Sequence, residues 1–157
     1  MVLYSMNMNS MIGPLSVIAN EDAVIEIKFW SQLIEQPNHI TALAIDQLSE
    51  YFTSTRKHFT VPIQPSGTNF QHLVWEQLQS IPWGHTKSYG EVAQQIGKKG
   101  ASRAVGNANN KNPIPIIIPC HRVVGATGKL TGYAGGLGIK SQLLSMESSI
   151  IPLDLGD

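Results

Sequence analysis

Cys120 is the only cysteine in the 157-residue chain. His121 and Arg122 follow it at once, and the apolar run IPIII (114–118) precedes it. A lone thiol is either an inert core residue or a nucleophile. Apolar neighbours favour the first, because burial raises a thiol's pKa and the thiolate is the reactive form. To react, Cys120 needs a base or a cation. His121 is adjacent, but adjacent side chains on a strand or helix diverge, so a water bridge suits the pair better than a direct bond. A histidine that takes a proton also needs a partner on its other ring nitrogen, preferably a carboxylate. Residues 85–157 contain four acids, Glu91, Glu147, Asp154 and Asp157. Glu91 fits a helix cap. Glu147, in an otherwise apolar or small-residue helix, is the better candidate. The spacing alone does not close that triangle.

The elements that must hold these residues follow from composition and pattern. Apolar content is 42% and charged content 14%, which suits a folded protein and excludes a disordered one. One cysteine excludes a disulfide framework and a multi-thiolate zinc site. No apolar stretch is long enough to span a membrane. The start, MVLYSMNMNS, lacks a signal peptide's basic and apolar regions, so a cytoplasmic location is expected, or a nuclear one in a nucleated cell. Net charge is zero but unevenly spread. From His85 to Lys140, eight Lys and Arg stand against Glu91 alone, a balance of +7 between acidic flanks. Such a segment suits a phosphate-facing surface, or simply a solvated basic face.

Residues 13–30 read as a hairpin around Asn20-Glu21-Asp22, with Ile25, Ile27 and Phe29 alternating onto one face. Ile40, Leu43, Ala44, Leu48, Tyr51 and Phe52 have helical spacing, which predicts a helix near 39–54. FTVPI (59–63) suggests one more short strand. PIQPSGTN (62–69) reads as a linker between a scaffold domain, 1–64, and a second domain, 68–150. There Thr68 or Asn69 caps a helix from Phe70 to Ile81 with Phe70, Val74, Leu78 and Ile81 as its stripe. Ser88 and Glu91 form a capping box for a helix burying Val92 and Ile96, which Gly97 ends. A short helix over ASRAVGNANN follows and Pro113 stops it. The pair resembles a helix-turn-helix. An extended run (114–118), a turn at 119–121, a hairpin through 125–128, the glycine-rich TGYAGG and a helix over 137–148 complete the chain. In that last helix Lys140, Leu144 and Glu147 share a face.

IPCHRVV resembles the active-site signature of the O6-alkylguanine-DNA alkyltransferases, and the likeness extends over roughly residues 68–148. It is carried also by VWEQLQSIPWGHTKSYGEVAQQIG, SRAVGNANNKNPIPIIIPCHRVVG and GYAGGLGIKSQLLSMES. The resemblance implies an α+β, ribonuclease H-like first domain with a small antiparallel sheet, and a mainly α second domain with a winged helix-turn-helix. It implies direct-reversal DNA repair. A lesioned guanine in double-stranded DNA is flipped out, and its alkyl group moves irreversibly to Cys120, one turnover per molecule. His121 would take the thiol proton through a water, and Glu147 would orient His121. Asn112 would brace the cysteine loop. Tyr89 would bond the flipped base and help protonate the leaving guanine. Arg103, with Ser102 and Ala104 on the second helix of the helix-turn-helix, would meet DNA, Arg103 filling the gap in the stack. Tyr133, Ala134, Val123 and Lys140 would line the base pocket, with the backbones of Cys120 and Val123 on guanine's exocyclic edge. Arg122 is left as structural. Ala134 stands where some family members carry a serine. No cofactor, metal or obligate protein partner is implied, and a monomer is expected.

Two other readings remain open. A Cys–His hydrolase would form a thioester and turn over, whereas an alkyl acceptor acts once. A non-catalytic lesion-binding protein of the alkyltransferase-like kind shares the fold but lacks the thiol that is present here.

Overall fold

The structure, a computed structural model, describes residues 1–130, 133 and 136–148. It divides into two compact units, one ending at Ser66 and the other beginning at Gly67. Among the described residues no helix is long and apolar enough to cross a membrane.

The first unit is an antiparallel sheet of β1 (Tyr4–Ser10), β2 (Gly13–Ala19) and β3 (Val24–Phe29), in that order, with one helix, α1 (His39–Phe52). The β2–β3 hairpin forms as its β-branched residues predict, with Val17 opposite Ile27. Asn20 makes the turn: its Oδ1 accepts from the backbone N–H groups of Asp22 and Ala23, each at 2.8 Å. β1 was not legible, because YSMNMNS alternates Met with polar residues and is half-buried along nearly its whole length. The strand expected over 59–63 is absent. Only a single bridge joins Val24 to Ile63, since Pro62 has no N–H to continue a ladder. α1 starts at a reciprocal capping box between Asn38 and Thr41 and buries Ile40, Ala44, Leu48 and Tyr51. Leu43 proves exposed and Phe52 half-buried, so the apolar stripe is narrower than the spacing suggests.

The second unit is mainly helical. α2 (Asn69–Leu78) begins at Thr68, boxed with Gln71, and ends three residues short of Ile81. Val74, Leu78 and Ile81 are buried and Phe70 is half-buried. Trp75 is buried too, and its Nε1–H donates to the Ala108 carbonyl at 2.9 Å, which ties α2 to the chain 33 residues on. Ser88 and Glu91 form the expected capping box at the start of α3 (Tyr89–Gln95). α3 buries Val92 and Ala93, while Ile96 sits half-buried at the cap. Gly97, at φ +74°, takes the left-handed turn that lets α4 (Ser102–Asn110) follow.

The run 114–118 is buried, but it is not extended. Ile116 has φ +75°, and Ile118 N–H returns to the Ile114 carbonyl at 3.0 Å, closing a tight turn. Cys120–Arg122 then form one 3₁₀ turn, which leads into β5 (Val123–Val124). The hairpin expected through 125–128 is only a turn, closed by Gly125 N–H to the Lys129 carbonyl at 2.8 Å. β5 pairs instead in parallel with β4 (Lys87–Ser88), in register Lys87 to Val123 and Ser88 to Val124. α5 (Leu137–Ser148) is the last described element.

A β-branched residue in the left-handed region carries strain of about 1–2 kcal/mol. Ile116→Gly is therefore expected to unfold at a urea concentration no lower than Ile116→Ala. At neighbouring Ile117, where φ is not positive, the ordinary order should hold, with Ala more stable than Gly.

Candidate active site

The 3₁₀ turn carries Cys120 and His121 into the interior, where Cys120 is 5% and His121 0% exposed. The loop before them is held by side-chain amides. Asn112 Oδ1 accepts from Ile114 N–H at 2.9 Å, and its Nδ2 donates to the Ile118 carbonyl at 2.8 Å. Cys120 N–H donates to that same carbonyl at 2.7 Å. From α4, Asn109 Nδ2 donates to the Cys120 carbonyl at 3.2 Å. Burial pushes the thiol's pKa up, although Asn112, the Lys140 ammonium and Tyr133 act in the opposite direction. At neutral pH Cys120 is a thiol and requires a base to become a nucleophile.

His121 Nε2 lies 2.7 Å from Glu147 Oε2 of α5. Arg122 grips the same carboxylate twice, Nε to Oε1 at 2.8 Å and Nη2 to Oε2 at 3.0 Å, while its Nη1 donates to the Ile81 carbonyl at 2.6 Å. All three side chains are buried. Burial alone would raise the Glu147 pKa, but His121 and Arg122 outweigh it and bring it down to about 2. Burial pushes the His121 pKa down against the pull of Glu147. Burial is the larger effect, and the Arg122 guanidinium and the Lys140 ammonium add to it, so the carboxylate orients the imidazole without forcing a second proton onto it. A neutral imidazole whose Nε2–H is given to a carboxylate presents a lone pair at Nδ1. Among the described residues Nδ1 has no partner.

Lys140, also on α5, is completely buried, and its Nζ lies 6.0 Å from the Tyr89 ring centroid. Burial lowers its pKa to about 8, which leaves it an ammonium at neutral pH. Tyr89 opens α3 directly after β4, half-buried, with its ring in van der Waals range of a Cβ placed on Gly106 of α4. β5 fixes Val123, which is fully buried, one residue beyond the thiol turn. Tyr133 is half-buried and borders a cleft of about 510 Å³ with Asn107, Asn110 and Lys111. Ala134 lies outside the described residues.

Ser102, Arg103 and Ala104 are exposed on the first turn of α4, whose first N–H groups receive no side-chain cap. A helix start of this kind favours anionic groups. Glu91 is occupied as a cap, its carboxylate taking Ser88 N–H at 3.0 Å. It is therefore not a partner for His121.

Of the residues singled out from sequence, Cys120, His121, Glu147, Asn112 and Lys140 come together around one buried turn. Arg103, Ser102 and Ala104 lie apart on the exposed helix. Sequence reasoning passed over two residues. Arg122, expected to be structural, donates to the Ile81 carbonyl and also clamps Glu147. Asn109 was not considered. Its signal was a polar residue on the inward stripe of α4, beside Val105 and Ala108.

Comparison with known proteins places this site in context. The family model described as 6-O-methylguanine DNA methyltransferase, DNA binding domain, matches residues 69–149, and that family's ribonuclease-like domain matches residues 3–65. A Mycobacterium tuberculosis methylated-DNA–protein-cysteine methyltransferase is 45% identical over 98% of both chains. One from Methanosarcina acetivorans is 46% identical over 94% of this chain and 99% of its own. The crystal structure of M. tuberculosis O6-methylguanine methyltransferase superposes with a TM-score of 0.86 at 44% identity, covering 98% of each chain. A structure of M. tuberculosis OGT in complex with DNA gives 0.85 at 45% identity over 93% of each.

The depressed Glu147 pKa makes a stability prediction. Its contribution is complete above the ordinary carboxylate value of 4.5 and is lost as pH falls from there toward about 2. Between those limits the wild type should lose on the order of 3 kcal/mol from this group. Glu147→Gln should unfold more readily at pH 7, by about 3–5 kcal/mol, since Arg122 stays buried without its partner. It should also show a shallower decline in acid. Urea melts across that pH range measure both.

Proposed function

The chain belongs to the 6-O-methylguanine DNA methyltransferase family, and on that premise we propose that it repairs O6-alkylguanine in DNA by moving the alkyl group to Cys120. The protein then acts as a methylated-DNA–protein-cysteine methyltransferase that each molecule performs once. The observation that carries the reading is the buried Cys120 turn beside an imidazole anchored at 2.7 Å to Glu147.

The chemistry follows from the pKa order. His121, neutral and held by Glu147, takes the thiol proton through an intervening water. The thiolate sulfur attacks the alkyl carbon, the carbon–oxygen bond breaks, and its electron pair stays with the base. Guanine then leaves with a proton supplied with the help of Tyr89. The resulting thioether has no leaving group that water can displace, so the molecule is not regenerated. A hydrolase would pass through a thioester instead and would turn over.

Base flipping brings the lesion to the thiol, because an in-line attack cannot occur inside a stacked duplex. Arg103, exposed on the first turn of α4, fills the space left in the stack, with Ser102 and Ala104 against the backbone. Asn112 braces the cysteine loop. Tyr133, Ala134, Val123 and Lys140 line the base pocket, and the backbones of Cys120 and Val123 meet guanine's exocyclic edge. The protein works as a monomer in the cytoplasm, or in the nucleus of a nucleated cell. Contacts that are mostly to phosphate give weak sequence preference and strong salt dependence.

Intact mass spectrometry after incubation with a duplex containing one O6-methylguanine should show a single added methyl group, mapped to Cys120. No addition with lesion binding intact would identify a lesion-binding protein with an idle thiol. Arg103→Ala should slow repair of the duplex lesion far more than reaction with free O6-benzylguanine. Equal losses on both substrates would remove Arg103 from extrusion.

A further inference from the structure

Two buried polar atoms flank Cys120 without a partner among the described residues: Asn109 Oδ1 and His121 Nδ1. Asn109 is 2% exposed and His121 0%. Buried polar groups are nearly always paired, and a pair of orphans at one site calls for a common ligand. The hydrogen-bond inventory identifies its chemistry. Asn109 Nδ2 is committed to the Cys120 carbonyl at 3.2 Å, which leaves Oδ1 as an acceptor. His121 Nε2 is committed to a carboxylate that can only accept, which leaves Nδ1 as an acceptor as well. Two acceptors need one small molecule with two donors, and water is that molecule. With both its protons so used, the water's oxygen has only lone pairs to offer, and these can accept from the thiol of Cys120.

We infer that Asn109 is a positioning residue for the thiol's deprotonation, its Oδ1 holding the water through which His121 takes the proton. The inference rests on the alkyl-acceptor reading and deepens it. The thiol proton passes to the water oxygen as the water's own proton passes to His121 Nδ1, so the water ends as water. Asn109 fixes the remaining O–H, and through Nδ2 it fixes the main chain that carries the sulfur. The charged and titratable groups around this point are Glu147 and Lys140 from α5, Arg122 beside His121, and Tyr133.

The test is the pH profile of Cys120 alkylation by free O6-benzylguanine, which needs no base flipping. In the wild type the rate should fall only as His121 takes a proton, and otherwise be level through neutral pH. Asn109→Leu has a similar shape and no acceptor. It should react roughly 10²-fold more slowly near neutral pH, at the low end of what positioned proton transfer contributes. Its rate should climb about tenfold per pH unit, because only preformed thiolate then reacts. Binding to the methylated duplex should be unchanged, which a merely unfolded variant would not show. A second measurement uses the wild type alone: rates in mixed H₂O and D₂O should bow below a straight line, as two moving protons require. An Asn109→Leu profile parallel to the wild type, or a linear isotope plot, overturns the role of Asn109 while Cys120 still accepts the alkyl group. Failure of the wild type to accept it at all would overturn the acceptor reading, and this inference with it.

Discussion

The site depends on one buried charge pair. Arg122 and Glu147 meet through two short bonds where both are almost wholly shielded from water. A lone carboxylate there would take up a proton, or it would hold one on the neighbouring imidazole. A lone guanidinium would be costlier still. Together they amount to a fixed dipole with its negative end toward His121. That end is strong enough to choose the tautomer and too weak to charge the ring. The Ile81 carbonyl takes the remaining guanidinium N–H, so the pair also joins the chain just beyond α2 to the thiol turn and to α5.

The thiol is placed by a constrained stretch of main chain and the side chains that brace it. The left-handed Ile116, the amide braces of Asn112 and Asn109, and the two-residue ladder of β4 with β5 each remove a degree of freedom from residues 112–124. The same ladder ends on Ser88, immediately before Tyr89. The tyrosine and the cysteine are therefore spaced by one short stretch of paired strand. Precision of this kind suits a reaction in which the attacking atom must lie in line with the bond it breaks.

Much of this was legible in the sequence. Capping residues fixed the starts of α2 and α3, because Thr68 and Ser88 each have a reciprocal partner three residues on. Helical spacing put Lys140, Leu144 and Glu147 on one inward face, and all three are buried. The failures have physical causes. β1 alternates Met with polar residues, has no β-branched ones and is half-buried along nearly its whole length, so it gives no clear strand signal, and 59–63 looked β-prone although Pro62 cannot sustain a ladder. The run 114–118 has the composition of a buried strand, but composition does not report the sign of φ at Ile116. Arg122 and Asn109 were missed for a common reason: their partners, Glu147 and the Cys120 carbonyl, are distant in sequence, and spacing registers only near neighbours.

The reach of the Arg122 bonds has a consequence for how the molecule comes to be. Its guanidinium joins groups 41 residues before it and 25 after it. Loop closure opposes contacts so far apart along the chain until the helices they join are in place. Early in folding the thiol is an ordinary cysteine, without an oriented base and without its amide braces. Nucleophilicity is thus an emergent property of the completed tertiary structure. Under the proposed alkyl-acceptor role, in which the sulfur is spent once, that order of events keeps the thiol in reserve until α5 has docked.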